Sequence, residues 1–215
     1  MVLNNFKLTT AILLAVTLVF SSCLGGGPSR TPATRFYVLN SLYSAENKAE
    51  LTPVAVLKDV AIGVGPLKLS QVLDRPQIIL RTSYNEIQVA DLDRWAAPLN
   101  ENITNVLVDN LSAMLSTGNI LKFPWNARIP IDYQIVMDIT RFDGMPGKNV
   151  DLRARWGILR ASDSKILSKG NSVLTEPIGE DSIPAMVSAQ SRLLAKLSRE
   201  IAEEIKRLEE KRAAQ

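Results

Sequence analysis

A single thiol and one closely spaced pair of carboxylates are the groups in this sequence best suited to chemistry. Cys23 is the one cysteine among 215 residues, and there is no histidine. Without histidine, Ser-His-Asp and Cys-His nucleophilic sites, His-rich zinc sites and the commonest general base are all ruled out. An enzyme made from this chain would work with carboxylates, Lys, Tyr or Ser alone. Asp91 and Asp93 flank Leu92 and precede Arg94-Trp95. Two carboxylates share acid and base roles only where their surroundings drive their pKa values apart. Here they read as the junction of a strand with a helix, where acids are favoured by the helix dipole alone. Trp95 reads as packing against that helix; its other use is contact with a ligand or partner. Asp74-Arg75-Pro76, a charged loop ahead of a strand, reads either as a local ion pair or as a contact point for another subunit. Among these groups the contact residues expected are Asp74, Arg75 and Trp95, with no catalytic residue, metal or cofactor.

What Cys23 does follows from what precedes it. Leu8 to Phe20 is an uncharged run of about 13 residues after a start whose one basic side chain is Lys7, and it ends in Ser21-Ser22. That is the plan of a secretory signal, and it is too short to cross a bilayer, which takes ~20 residues. Small residues, then cysteine, then Leu24-Gly25-Gly26-Gly27 resemble a bacterial lipobox, with Phe20 where an aliphatic residue is usual. In such a motif the thiol is acylated and the chain is cut just before it. The alternative is a free thiol in a signal-anchor helix. Acylation also accounts for a secreted chain with one cysteine and no internal disulfide. Residues 1–22 then form a signal peptide, 23–34 an acylated Gly/Ser/Pro-rich tether, and 35–215 one folded domain.

The elements that position these groups are read from periodicity. The chain carries 25 Lys+Arg and 22 Asp+Glu, a formal net charge of +3 with mixed signs throughout. That is not the electrostatic footprint of a nucleic-acid binder. Arg35 to Leu39 is a strand candidate, and Val54 to Val64 reads as a central strand closed by Gly65-Pro66. Leu67 to Asp74 reads as irregular. Gln77–Arg81 and Glu86–Ala90 suggest a hairpin. Pro98 to Thr117 carries an apolar stripe of Leu99, Ile103, Val106, Leu107, Leu111, Met114 and Leu115, the mark of an amphipathic helix. Lys122-Phe123-Pro124-Trp125 is an apolar loop that either plugs the core or meets a partner or membrane. Alternation over Asp132–Phe142, Val150–Arg160 and Lys165–Thr175 predicts an antiparallel meander with one wet face. A second helix opens at Asp181-Ser182, with its charged end, Arg207 to Arg212, projecting or frayed. Gly63-Val64-Gly65 is a lone pair without a following helix and is no phosphate loop. Asn102-Ile103-Thr104, a glycosylation pattern, falls inside a helix. The expected class is α+β: a single domain with a twisted, mostly antiparallel sheet and two long amphipathic helices on one face.

An ordered set of segments resembles the PqiC-type family, the ABC-type transport auxiliary lipoprotein components. These are Phe36–Leu39, Ile62–Leu67, Leu73–Ile78, Asp93–Leu99, Arg141–Gly144 and Val187–Arg192, leading into Leu197–Ala202. The resemblance implies a periplasm-facing lipoprotein of a Gram-negative outer membrane, held there through acylated Cys23. It implies a non-enzymatic docking role beside an MCE-domain tunnel protein of an ABC-type or PqiA-like lipid transport system, and a ring-forming homo-oligomer. A periplasmic lipid carrier that binds lipid itself is the alternative. A carboxylate-based envelope hydrolase using Asp91 and Asp93 is a third.

Overall fold

The long meander ladders dominate the architecture. β6 (Tyr133–Met145), β7 (Asn149–Arg160) and β8 (Ile166–Pro177) pair antiparallel almost end to end. This structure is a computed structural model, and it describes residues 32–41, 53–126 and 128–214. The far edge of β6 is shared by two strands. β2 (Ile62–Leu69) runs parallel to its first half, and β3 (Gln77–Arg81) meets its end at the single register pair Leu80–Gly144. β3 forms the expected hairpin with β4 (Ile87–Trp95), to which β1 (Arg35–Tyr37) adds in parallel. β5 (Ile120–Lys122) adds in parallel to β2. The eight strands make one mixed sheet whose longest pairings are antiparallel. The described residues from Thr34 onward form one compact unit, and the class is α+β as expected.

Alternation sets which side of the sheet is dry. In β6, Tyr133, Ile135, Met137 and Ile139 are buried, while Gln134, Val136 and Asp138 between them are half-exposed. Leu152, Ala154 and Ile158 of β7 continue the dry side. On it lie α1 (Leu99–Met114) and α2 (Ile183–Ala213). Leu107, Leu111, Leu193, Leu197 and Ile201 are wholly buried, and burying each such side chain contributes about 1.5–3 kcal/mol. Where the helices cross, Asn110 Nδ2 donates to Ser198 Oγ (3.2 Å), which donates to Leu194 O (2.7 Å). Polar groups buried there are thus hydrogen-bonded. Ser182 caps α2 by accepting from Ala185 N, and Pro184 sits in the first turn, where its missing N–H costs nothing.

Four local expectations are corrected. Val54 to Asp59 is not strand: the N–H groups of Val54 and Ala55 donate to Met114 O, and Leu57 N to Leu115 O. This apolar run caps the carbonyl end of α1 instead of joining the sheet, satisfying orphan acceptors. β2 starts at Ile62 and runs through Gly65-Pro66 to Leu69, so those residues do not close it. Bond donors are the reason: Gln134 Nε2 donates to Gly65 O (2.9 Å), and the register resumes at Leu67 after a bulge. β4 extends to Trp95, so Asp91 and Asp93 belong to a strand and not to a helix entry. Finally, the charged end of α2 stays helical to Ala213. Tyr133 OH donates to Glu209 Oε1 (2.5 Å), and Arg212 pairs with Glu209 (3.2 Å) and Asp132 (3.7 Å). Burial, with the bond to Glu209, pushes the Tyr133 phenol up to about 12.

Candidate functional site

The carboxylate pair does not make an acid–base site. Asp93 is buried and saturated: Arg35 Nε lies 2.7 Å from Oδ1, Arg35 Nη2 donates to Oδ2 (2.9 Å), and Tyr37 OH donates to Oδ1 (2.8 Å). Burial and the Asp93 carboxylate together hold the Tyr37 phenol above its ordinary range. Asp91 is exposed and joins none of these bonds. Asp93 thus fastens β1 onto β4. Trp95 is 5 % exposed and belongs to the main core, so the expectation of a surface contact there is corrected. Alternation along β4 aims its ring inward with Asp93, at the helix side. Among the described residues no cluster of three or more acids, histidines or cysteines could hold a metal ion. Likewise no described helix is long and apolar enough to cross a membrane. Cys23 lies outside the described residues.

What the structure does assemble is a surface around the emergent half of β2. Ile62 to Gly65 are buried, whereas Pro66 and Lys68 are exposed. Gly65 sits at φ +122°, a region that side chains rarely adopt, and a Cβ there would lie 2.6 Å from Phe123 Cβ. Gly63 is needed too, because a Cβ would come within 2.7 Å of the Trp125 ring. The Lys122–Trp125 segment therefore folds over these glycines, with Phe123 N donating to Val64 O (3.0 Å). Phe123 and Trp125 stand edge to face at 5.4 Å and 82°. Trp125 covers the glycine gap, as the plug reading expects, and Phe123 is left 45 % exposed.

Three hollows border this rib. On the wet face of the sheet, Pro66, Val136, Gly157, Leu159 and Ile166 line a largely apolar groove of about 490 Å³. Its rim carries Lys68, Lys169 and the Arg155–Asp138 ion pair (2.8 Å). Beside Phe123, a hollow of about 190 Å³ reaches Asn100 and Glu101 at the start of α1. Asp74 lines a third, of about 300 Å³, with Lys68, Leu69 and Asn100. Asp74 is exposed on the turn after β2, while Arg75 is half-buried. The local ion pair expected between them does not form: neither has an ion-pair partner among the described residues. The structure thus joins Asp74 to the β2 rib, brings Arg75 toward β4, and removes Trp95 from the surface.

One network escaped the sequence reading. Asp143, 2 % exposed, accepts both forks of Arg81 (2.8 and 2.9 Å) and Arg141 Nε (3.2 Å), and Arg141 reaches Asp151 (2.7 Å). Hydrogen bonding to Asp143 raises the Arg81 guanidinium further. Arg141-Phe142-Asp143-Gly144 was visible as a segment, yet its partner Arg81 is 62 residues away.

Comparison with known proteins places this arrangement. None of the curated proteins matches the chain. Among solved structures, a Xanthomonas campestris protein of the DUF330 family is similar in fold, with a TM-score of 0.68 at 16 % identity over 85 % of this chain and 100 % of that one. The crystal structure of an uncharacterized protein gives 0.65 at 20 % identity over 81 % and 99 %. At such identities these likenesses speak to the fold alone. The family model described as "ABC-type transport auxiliary lipoprotein component" matches residues 37–202, from the Tyr37 that braces Asp93 to the Ala202 buried in α2. The chain belongs to that PqiC-type family of auxiliary lipoproteins.

Proposed function

We propose that this protein is an outer-membrane lipoprotein, anchored through acylated Cys23. It acts as a non-enzymatic docking component for an MCE-domain tunnel protein of an ABC-type or PqiA-like lipid transport system. The observation that carries the reading is the family match over residues 37–202. The lipobox at Cys23 and the lack of histidine agree with it, as does Asp93 being tied up in structural bonds. Phe123, Pro66, Lys68 and Asp74 form the surface offered to the tunnel or to the next copy in a ring. Ring closure needs head-to-tail contacts, in which one patch meets a different patch on its neighbour. Immunoprecipitation from crosslinked membranes should recover an MCE-domain protein with the wild type. Recovery should fall with Phe123→Asp and with Cys23→Ser, and palmitate should label the wild type but not Cys23→Ser. Equal palmitate labelling of both would refute the anchor, and no MCE-domain protein in any sample would refute the docking role.

The wet-face groove favours one second reading, a lipid carrier. The space between helices and sheet is filled by buried side chains, so an acyl chain would lie in the groove over Gly157. Native mass spectrometry of the purified protein separates the two: lipid bound at one per chain, lost in Gly157→Phe, supports a carrier.

A further inference from the structure

Five buried side-chain polar atoms among the described residues have no hydrogen-bond partner, and three of them belong to the β2–β3 turn and the strand paired with its exit: Ser70 Oγ, Arg75 Nε and Arg94 Nε. Ser70 and Arg75 belong to the turn between β2 and β3. Arg94 lies opposite Gln77 across the hairpin, and Trp95 N donates to Pro76 O (2.8 Å). The backbone therefore sets Arg75 two residues before the Gln77 that pairs with Arg94, so the two arginines are diagonal neighbours on adjoining segments. Neither guanidinium has a hydrogen bond or an ion pair among the described residues. Each other arginine that the sheet buries as far is paired: Arg81 and Arg141 share Asp143. Two half-buried guanidinium groups on diagonal positions, each with a buried and unpartnered Nε, give up hydration without a bond in return. A structure keeps them only at a cost that an oxyanion between them would offset.

The neighbours identify the kind of oxyanion. Arg94 is the register partner of Phe36 in β1, and paired residues point to the same face. Phe36 is 64 % exposed and Val38 54 %. An apolar edge beside a doubly basic notch fits an amphiphile with an anionic head. β1 is also where the tether from Cys23 enters the fold. The 12 residues from Cys23 to Thr34 span at most about 40 Å. We infer that Arg75 and Arg94 hold the phosphate of an anionic phospholipid at the membrane surface, with Phe36 and Val38 resting among its acyl chains. Each guanidinium brings positive charge and N–H donors to phosphate oxygens, and a lysine ammonium binds phosphate as a point charge in the same place. This inference rests on the anchor reading, because it takes Cys23 to place β1 beside a bilayer.

The test replaces Phe36 with photoreactive benzoyl-phenylalanine in the acylated protein. The protein is reconstituted into phosphatidylethanolamine vesicles with or without phosphatidylglycerol. Irradiation should yield a phosphatidylglycerol adduct at position 36. Arg75→Gln and Arg94→Gln should each lower its yield about five-fold, since one basic side chain near an anionic surface is worth about that factor. Arg75→Lys/Arg94→Lys keeps both charges and should retain most of the yield. A loss in the Lys pair as large as in the Gln variants would trace the effect to damaged folding and overturn the site. Equal adducts with both lipids, or adducts to protein alone, would also overturn it. Palmitate labelling of the same sample separates the failures: an unlabelled chain sinks the anchor, and a labelled chain without lipid adduct sinks only this site.

Discussion

Two pairs of arginines, three on the sheet and Arg75 in the turn before β3, have opposite settings. Arg81 and Arg141 converge on Asp143, whose side chain is 3 % exposed, and Arg141 goes on to Asp151. Arg75 and Arg94 converge on nothing among the described residues. Register explains the difference. Asp143 pairs with Asp151 across β6 and β7, and Leu80–Gly144 brings Arg81 alongside. The register partners of Arg94 are Gln77 and Phe36, both uncharged. A buried arginine with its acid supplied within the fold is a fastener; one without is open to an acid from outside. The first kind should be costly to break, and the second nearly free.

The largest effect should come from Asp143→Asn, which leaves two partly buried guanidinium groups facing a neutral amide. Removing one partner of a buried pair costs about 3–5 kcal/mol. Because β3 meets β6 at one register pair, this carboxylate also rivets the β1–β4–β3 flank to the meander. Urea unfolding should show that loss, and amide exchange should quicken in β3 and β4 before β7. A variant within 1 kcal/mol of wild type, a bound set well below that estimate, would erase the distinction between the two pairs.

A smaller effect is expected where the fastener is half in water. Glu176 accepts from Arg192 Nε and Lys196 Nζ, both at 2.6 Å, tying β8 to α2. Its side chain is 10 % exposed, while its partners are about half exposed. Burial pushes the Glu176 carboxyl up, but the bonds from Lys196 and Arg192 outweigh it and leave the group below its ordinary value. Screening of the exposed partners limits Glu176→Gln to about 1 kcal/mol. The sign with pH follows from linkage. The unfolded chain binds the proton first on acidification, so the contribution is complete above the ordinary value of 4.5. It fades as pH falls through the lower folded value. Urea midpoints of wild type and Glu176→Gln should therefore differ at pH 7 and converge under acid. A gap that widened on acidification would contradict the assignment.

The same contrast marks what the sequence could tell. Period-two alternation exposed β6, β7 and β8, and the stripe from Leu99 to Leu115 exposed α1, because one face of each is dry and the pattern records it. β2 was misplaced because Val54–Asp59 is as apolar as a strand, yet its N–H groups cap α1, and apolarity does not say which acceptors a backbone will find. Asp91 and Asp93 read as a helix entry because Pro98 opens α1 soon after Trp95, and nothing in the sequence marks that β4 runs on to Trp95. Of the site residues, Asp74 stands on the rim and Trp95 does not, and nothing local separates an aromatic at a strand end that faces in from one that faces out. Arg75 reads as part of a charged loop; that neither Asp74 nor any other described acid pairs with it is a matter of the fold, not of the sequence around it. Arg94 was visible as a neighbour of Trp95 and carried no signal of its own.

The smallest predicted effect is the most informative. Arg75→Gln and Arg94→Gln should each change stability by less than about 0.5 kcal/mol, as substitutions do when they remove no partnered contact. No acid among the described residues is orphaned by either change. Each relieves a desolvated, unpaired Nε, and glutamine keeps part of the aliphatic stem that packs there. They are diagonal neighbours across the hairpin, so the double variant should be no less stable than the sum of the singles. Urea unfolding of the singles, the double and wild type in low-phosphate buffer measures this directly. A cost near 2 kcal/mol for either arginine is the size expected when a buried charged hydrogen bond is broken. It would mean that these residues are fasteners like Arg81, and the contrast that makes them an open site would be lost.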